Sequence, residues 1–199
     1  MTNAHDVAAY ILTQKGQMVT SRLHSLLYYS QAWHLTWEDK PLFPEKIEAW
    51  AGQPVIPKIY EKYRKGYGDD LKNVMYEPSS FKMTHRYIIM KEWPWGKPQK
   101  LNENERESIL LVLQAYQYFD YSELTFMARN EMPYQMARKG LQPDEPSHNI
   151  IEKLDMTWYY GSQMTNPYAL PVLTNYASRP GKLPEKYCVL PPEPKPSLH

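Results

Sequence analysis

The chain has 199 residues, enough for one domain or one domain with an appendage, and enough to bury a core without disulfide or metal staples. A net charge of +1 argues against a dedicated non-specific nucleic-acid binder, and the single Cys188 rules out an internal disulfide or a cysteine-rich zinc site. The notable bias is aromatic: 17 Tyr and 6 Trp stand against 4 Phe, and Tyr and Trp are the aromatics enriched at protein interfaces.

The spacing predicts a first helix over Ala4 to Lys15. Asn3 is its N-cap, Asp6 favours the positive end of its dipole and Gly16 stops it. The segment has no basic leader and carries an acidic residue before its apolar run, so it is not read as a secretory signal. A second helix, about Arg22 to Trp37, is capped by Thr20 or Ser21. Leu23, Leu26, Leu27, Ser30, His34 and Trp37 recur at helical spacing, with Tyr29, Trp33 and Thr36 on the neighbouring stripe. A helix apolar around so much of its girth is buried on more than one side or keeps one side for a partner.

Lys46 to Ala51 reads as extended, Gly52-Gln53-Pro54 as a turn, and Val55-Ile56 as extended because Ile56 precedes a proline. Pro57 opens a helix whose face is Ile59, Tyr60 and Tyr63 and whose end is Gly66. Alternation over Phe81 to Met90 predicts a strand, and "EWPWGKPQK" is a Pro/Gly-broken connector. Asn102 with Glu105 forms a capping box for a helix over Glu103 to Phe119. Ser122 caps another over Glu123 to Asn130, Pro133 opens a short one ending at Gly140, and a last helix spans Ile150 to Met164. Eight of the 18 prolines lie in residues 165–199, which favours extended chain there. Tyr168, Leu170, Val172, Leu173, Tyr176, Tyr187, Val189 and Leu190 are nevertheless apolar enough for part of this tail to dock on the domain or a partner. The expected fold is mainly α, a compact helical domain with a small β element around Glu48, Val55 and Tyr87 and a Pro-rich C-terminal extension.

Signals for catalysis are weak. Cys188 has no base or orienting group beside it, the six histidines are scattered, and no hydrolase, zincin or phosphate-loop string occurs. "KGYGDD" lacks the lysine and the strand-to-helix setting of a phosphate loop. The carboxylates of "NENERE" are a solvated helix start. His24, His34, Glu48 and Glu131 are the acid–base groups an unrecognised enzyme would use, and they would then have to converge in one pocket. No stretch approaches the roughly 20 apolar residues of a membrane span. The expectation is a binding protein rather than an enzyme, with no cofactor and no metal.

Three blocks carry a resemblance. "VAAYIL" and "VTSRLHSLLYYSQAWHLTWEDKPLF" come first, "EKIEAWAGQPVIPKIYEKYR" second, and "LNENERESILLVLQAYQYFDYSELTFMARNEMPYQMARKG" third. In this order they resemble the Panacea, or SocA-like antitoxin, domain of bacteria and phages, over roughly residues 4–163. There are departures. The family's Tyr-Gly-Pro turn reads Gly52-Gln53-Pro54, and Arg129 and Tyr134 stand where the family has histidine and tryptophan.

The resemblance implies an antitoxin of a phage- or prophage-associated toxin–antitoxin system, cytoplasmic, that neutralises a cognate protein toxin by direct binding. It also implies an alternative, an adaptor that delivers the toxin to an AAA+ protease. Some relatives carry an additional DNA-binding helix-turn-helix domain, for which the chain has no room, so no direct DNA binding is expected of it; membrane insertion is not expected either, for want of an apolar span. Residues 1–164 would form the antitoxin domain, with an insertion at about 67–100, and 165–199 the extension. Binding hot spots favour Trp, Tyr and Arg, which makes Tyr29, Trp33, Trp50, Tyr60, Arg129 and Tyr134 the candidate toxin-binding residues. Each is also a candidate for plain core packing, Trp33 and Trp50 at least equally so. Leu27, Tyr28 and Trp37 are expected in the core.

Overall fold

Seven helices and two short two-stranded sheets make up the described part of the computed structural model, residues 2–66, 89–90 and 92–165. In chain order these are α1 (Ala4–Lys15), β1 (Met18–Val19), α2 (Thr20–Glu38), β2 (Glu48–Trp50), β3 (Gln53–Val55), α3 (Pro57–Gly66), β4 (Ile89–Met90), α4 (Glu103–Ala115), α5 (Tyr121–Asn130), α6 (Met132–Ala137) and α7 (Lys153–Gln163). The mainly α class read from the sequence is the observed one. Of the expected strand over Phe81 to Met90, the described part, Ile89–Met90, pairs antiparallel with Met18–Val19. Residues 81–88 of that strand, Tyr87 among them, and the Pro-rich extension from 166 onward lie outside the described residues.

Helix α2 runs through the centre. Every residue from Thr20 to Trp37 except Arg22 is buried, because α1, α4, α5, α7 and β3 all pack around it. Several of its polar side chains are tied to other parts of the chain, while the hydroxyls of Ser25 and Ser30 are buried without a hydrogen-bond partner among the described residues. Gln31 pairs in both directions with the backbone of Phe43, Oε1 accepting from Phe43 N (3.0 Å) and Nε2 donating to Phe43 O (3.3 Å). His34 Nδ1 meets Ser108 Oγ of α4 at 2.9 Å. His24 Nδ1 accepts from Ile56 N at 3.2 Å, just ahead of α3, and Nε2 faces Tyr63 Oη at 3.4 Å. Complete burial pushes the His24 imidazole down to about 3, so the ring is neutral and serves as an acceptor.

Local signals place most boundaries. Asn3 caps α1 as expected and also forms a capping box with Asp6, and Asn102–Glu105 forms the capping box expected for α4. Elsewhere tertiary demands shift the ends. Ser21 does not cap α2; its hydroxyl lies 2.6 Å from Gln53 Oε1, tying the helix to β3, and Val19 holds the N-cap position without a side-chain bond. Helix α4 stops at Ala115 rather than Phe119, which lets Tyr116 turn into the core. Asp120, not Ser122, caps α5, accepting from Ser122 N (2.7 Å) and Glu123 N (2.8 Å). Helix α6 ends at Ala137, short of Gly140, and α7 begins only at Lys153 because residues 149–151 are extended against β2. The hairpin turn is Ala51-Gly52, and Gln53 and Pro54 belong to β3.

The segment "EWPWGKPQK" is more than a connector. Trp93 is buried and stacks on His5 of α1, with ring centroids 5.8 Å apart. Lys97 N donates to Asp6 Oδ1 at 2.8 Å. Gly96 lies so close to α1 that a Cβ there would sit 1.9 Å from His5 O and 2.8 Å from Ala9 Cβ. Backbone cannot yield as a flexible side chain can, so Gly96→Ala is expected to lift this segment from α1 and cost about 1–3 kcal/mol. Its thermal midpoint should drop accordingly, and an unchanged midpoint would mean the segment is not seated there.

Candidate functional site

The six candidate residues fall in three places. Tyr29 and Trp33 lie inside the bundle. Trp50, Tyr60 and Tyr134 gather around the β2–β3 hairpin. Arg129 is half-buried in the last turn of α5, where a cation complements the helix dipole.

The interior cluster is a tyrosine cage. Tyr28 and Tyr29 from α2 and Tyr160 from α7 all donate their hydroxyls to the carboxylate of Glu131, at 3.3, 3.2 and 2.5 Å. Glu131 is only 9% exposed and sits between α5 and α6, so one carboxyl joins three parts of the bundle. Tyr116 stacks on Tyr29 with centroids 4.2 Å apart, and its hydroxyl accepts from Trp33 Nε1 at 3.1 Å. Trp33 in turn stacks on Trp37 and meets Tyr160 edge-on. Burial pushes the Glu131 carboxyl up to about 7, against the opposing effect of the three hydroxyl donors. The same burial, next to that carboxyl, drives the Tyr28, Tyr29, Tyr116 and Tyr160 phenols far above their ordinary range.

The outer cluster follows from strand geometry. In β2, Ala49 points inward while Glu48 and Trp50 share the outer face, two residues apart. Residues 149–151 continue the ladder. Ala49 N donates to Asn149 O and Ile151 N to Ile47 O, each at 2.8 Å, and Glu48 bridges Ile150 antiparallel. That register sets His148 opposite Trp50, and their rings meet edge to face at 5.5 Å. Tyr60 of α3 closes the other side at 4.8 Å. Glu48 Oε2 receives both Trp50 Nε1–H (2.7 Å) and His148 Nδ1 (2.8 Å).

Residues of α6 and the following turn hold this corner from beneath. Tyr134 Oη donates to Trp50 O at 2.6 Å and accepts from Gly52 N at 3.2 Å, bracketing the hairpin turn. Arg138, almost fully buried, donates to Ala49 O (3.0 Å) and to the carbonyls of Gln142 (2.7 Å) and Glu145 (2.8 Å). Tyr134 and Arg138 therefore act on the corner as supports.

His24, His34, Glu48 and Glu131 do not converge. Each is committed to its own partners, Ile56 and Tyr63, Ser108, Trp50 and His148, and the three cage tyrosines respectively. Among the described residues no group of His, Cys, Asp and Glu is arranged to hold a metal ion, and no helix is long and apolar enough to cross a membrane. Sequence reading missed His148 and Arg138, whose roles depend on strand register and on loop carbonyls brought together by folding. It also missed that Leu154 and Trp158, four residues apart on α7, are 67% and 53% exposed.

Comparison with known proteins adds one finding. The family model described as "Antitoxin SocA-like, Panacea domain" matches residues 23–135, more than half of the chain. The match runs from the first turn of α2 to α6 and contains α2 from Leu23 onward, the hairpin, Tyr60, Glu131 and Tyr134. No curated protein and no solved structure matches the chain.

Proposed function

The chain belongs to the SocA-like antitoxin family with a Panacea domain, and on that footing we propose that it neutralises a protein toxin by binding it directly. Family membership carries this reading. The half-exposed corner of Trp50 and Tyr60 supports a steric mechanism, since Trp and Tyr anchored on a rigid support are the residue types that dominate binding hot spots. Arg129 on α5 is the third surface candidate. Tyr29 and Trp33 would contribute from inside, by holding the bundle that presents this face, and Tyr134 by fixing the hairpin. In this reading residues 1–164 are the antitoxin unit, and the segments 67–100 and 165–199 add contacts particular to one toxin. The protein acts without catalysis of its own.

The test is co-expression with the product of each neighbouring gene. One such product should arrest growth when expressed alone, growth should return when this chain is supplied, and intact toxin should co-purify with it. If no neighbour is toxic alone and rescued by the chain, the reading fails. Rescue accompanied by disappearance of the toxin would instead make the chain an adaptor for an AAA+ protease.

A further inference from the structure

We propose that the corner formed by Trp50, Tyr60, His148 and Glu48 binds a cationic side chain, an arginine or lysine, presented by the partner protein. That the carrier is a partner protein rests on the antitoxin reading; the preference for a cation rests on the corner alone.

The indole is the aromatic surface most attractive to a cation, and here it is flanked by two further rings. Tyr60 stands at 66° and His148 at 82° to it, so both rise steeply beside the Trp50 ring. The carboxylate of Glu48 is fixed against the indole edge by the Trp50 Nε1–H bond, and its side chain is 17% exposed, screened from water without being sealed from it. Among the described residues its only ion-pair partner is His148, which balances the carboxylate only when protonated and whose own side chain is 78% exposed. Arg138, the cation that reaches the hairpin, is buried and engaged by backbone carbonyls. Among the described residues the corner thus combines three aromatic rings with a carboxylate lacking a permanent counter-charge. A guanidinium can lie on the indole while its N–H groups reach that carboxylate.

The support beneath the corner argues that its shape is held ready. Tyr134 clamps both sides of the hairpin turn and Arg138 clamps β2, so Trp50 requires little ordering before a ligand arrives.

The experiment titrates the full chain, labelled with nitrogen-15, with N-acetyl-arginine methylamide and follows the Trp50 Nε1–H signal, assigned through Trp50→Phe. N-acetyl-norleucine methylamide is the neutral control. A weak but saturable shift with the arginine compound only is expected. Glu48→Gln, which retains an oxygen acceptor for the indole and removes the charge, should weaken that binding about fivefold. No saturable shift, an equal shift with norleucine, or undiminished binding by Glu48→Gln would each overturn the proposal. The two readings fail separately. A toxin bound tightly by a chain that ignores the arginine probe removes the cation site and leaves the antitoxin. Probe binding by a chain that neutralises no toxin does the reverse.

Discussion

Replacing Trp33 by alanine is expected to cost about 3–5 kcal/mol of folding stability, the range for emptying a large aromatic site in a packed core. Trp33 is 2% exposed, stacks on Trp37 at 5.4 Å and meets Tyr160 at 5.1 Å. Its indole also donates to the buried hydroxyl of Tyr116, which would lose that donor. Natural domains have only about 5–15 kcal/mol to lose, so the variant should be near unfolding at growth temperature. Denaturant midpoints followed by far-ultraviolet circular dichroism measure this directly. Trp50→Ala, on the half-exposed hairpin face, should cost far less, on the order of 1 kcal/mol. A Trp33→Ala chain as stable as Trp50→Ala would contradict the division between interior scaffold and outer face.

The second large effect is a pH dependence centred on Glu131. In the folded chain its carboxyl is raised to about 7 from an ordinary 4.5, chiefly by burial. The folded state therefore holds this proton more tightly than the unfolded state does, and stability from this source is full below about 4.5. It falls as the pH rises through the interval up to about 7 and is constant above. The interval corresponds to about 3 kcal/mol at 1.36 kcal/mol per pH unit. The surrounding phenols do not titrate in this window: Tyr28, Tyr29, Tyr116 and Tyr160 are all pushed upward by burial, and Tyr159 is raised to about 12. Glu131→Gln keeps an acceptor for the tyrosine hydroxyls and removes the ionisation. The difference in stability between wild type and Glu131→Gln should therefore shift in favour of the variant by about 3 kcal/mol between pH 4.5 and pH 8. Parallel stability curves for the two chains would show that Glu131 ionises freely in the fold.

The fold was legible where local chemistry decides it. Asn3 with Asp6 and Asn102 with Glu105 announce two helix starts, Pro57 a third, and the mixture of Leu, Tyr, Trp and His around α2 announces a helix apolar around most of its girth, with burial or a partner on the second side left open. It was less legible where distant partners compete for a side chain. Ser21 and Ser122 both look like caps. One hydroxyl is taken by Gln53 and the other cap position by Asp120, a contest periodicity does not record. The candidate residues divide in the same way. Composition singles out Tyr and Trp but does not separate an interface from a buried cage. Tyr29 and Trp33 share a stripe with residues that could as well have faced a partner, and only the closeness of Tyr116, Tyr160 and Glu131 places them inside. For Trp50 the alternation of Glu48-Ala49-Trp50 does give the outward direction. His148 arrives by register with a segment 98 residues further along, for which the sequence holds no local signal.

The most direct test is the affinity of the purified chain for the toxin encoded beside it, measured with wild type and with Trp50→Ala/Tyr60→Ala at matched thermal stability. A tight complex with wild type is expected, weakened by at least about 2 kcal/mol, roughly thirtyfold, when the two anchors are removed. Unchanged affinity in the double variant would contradict the assignment of this face, and no complex between wild type and any neighbouring toxic product would contradict direct neutralisation itself.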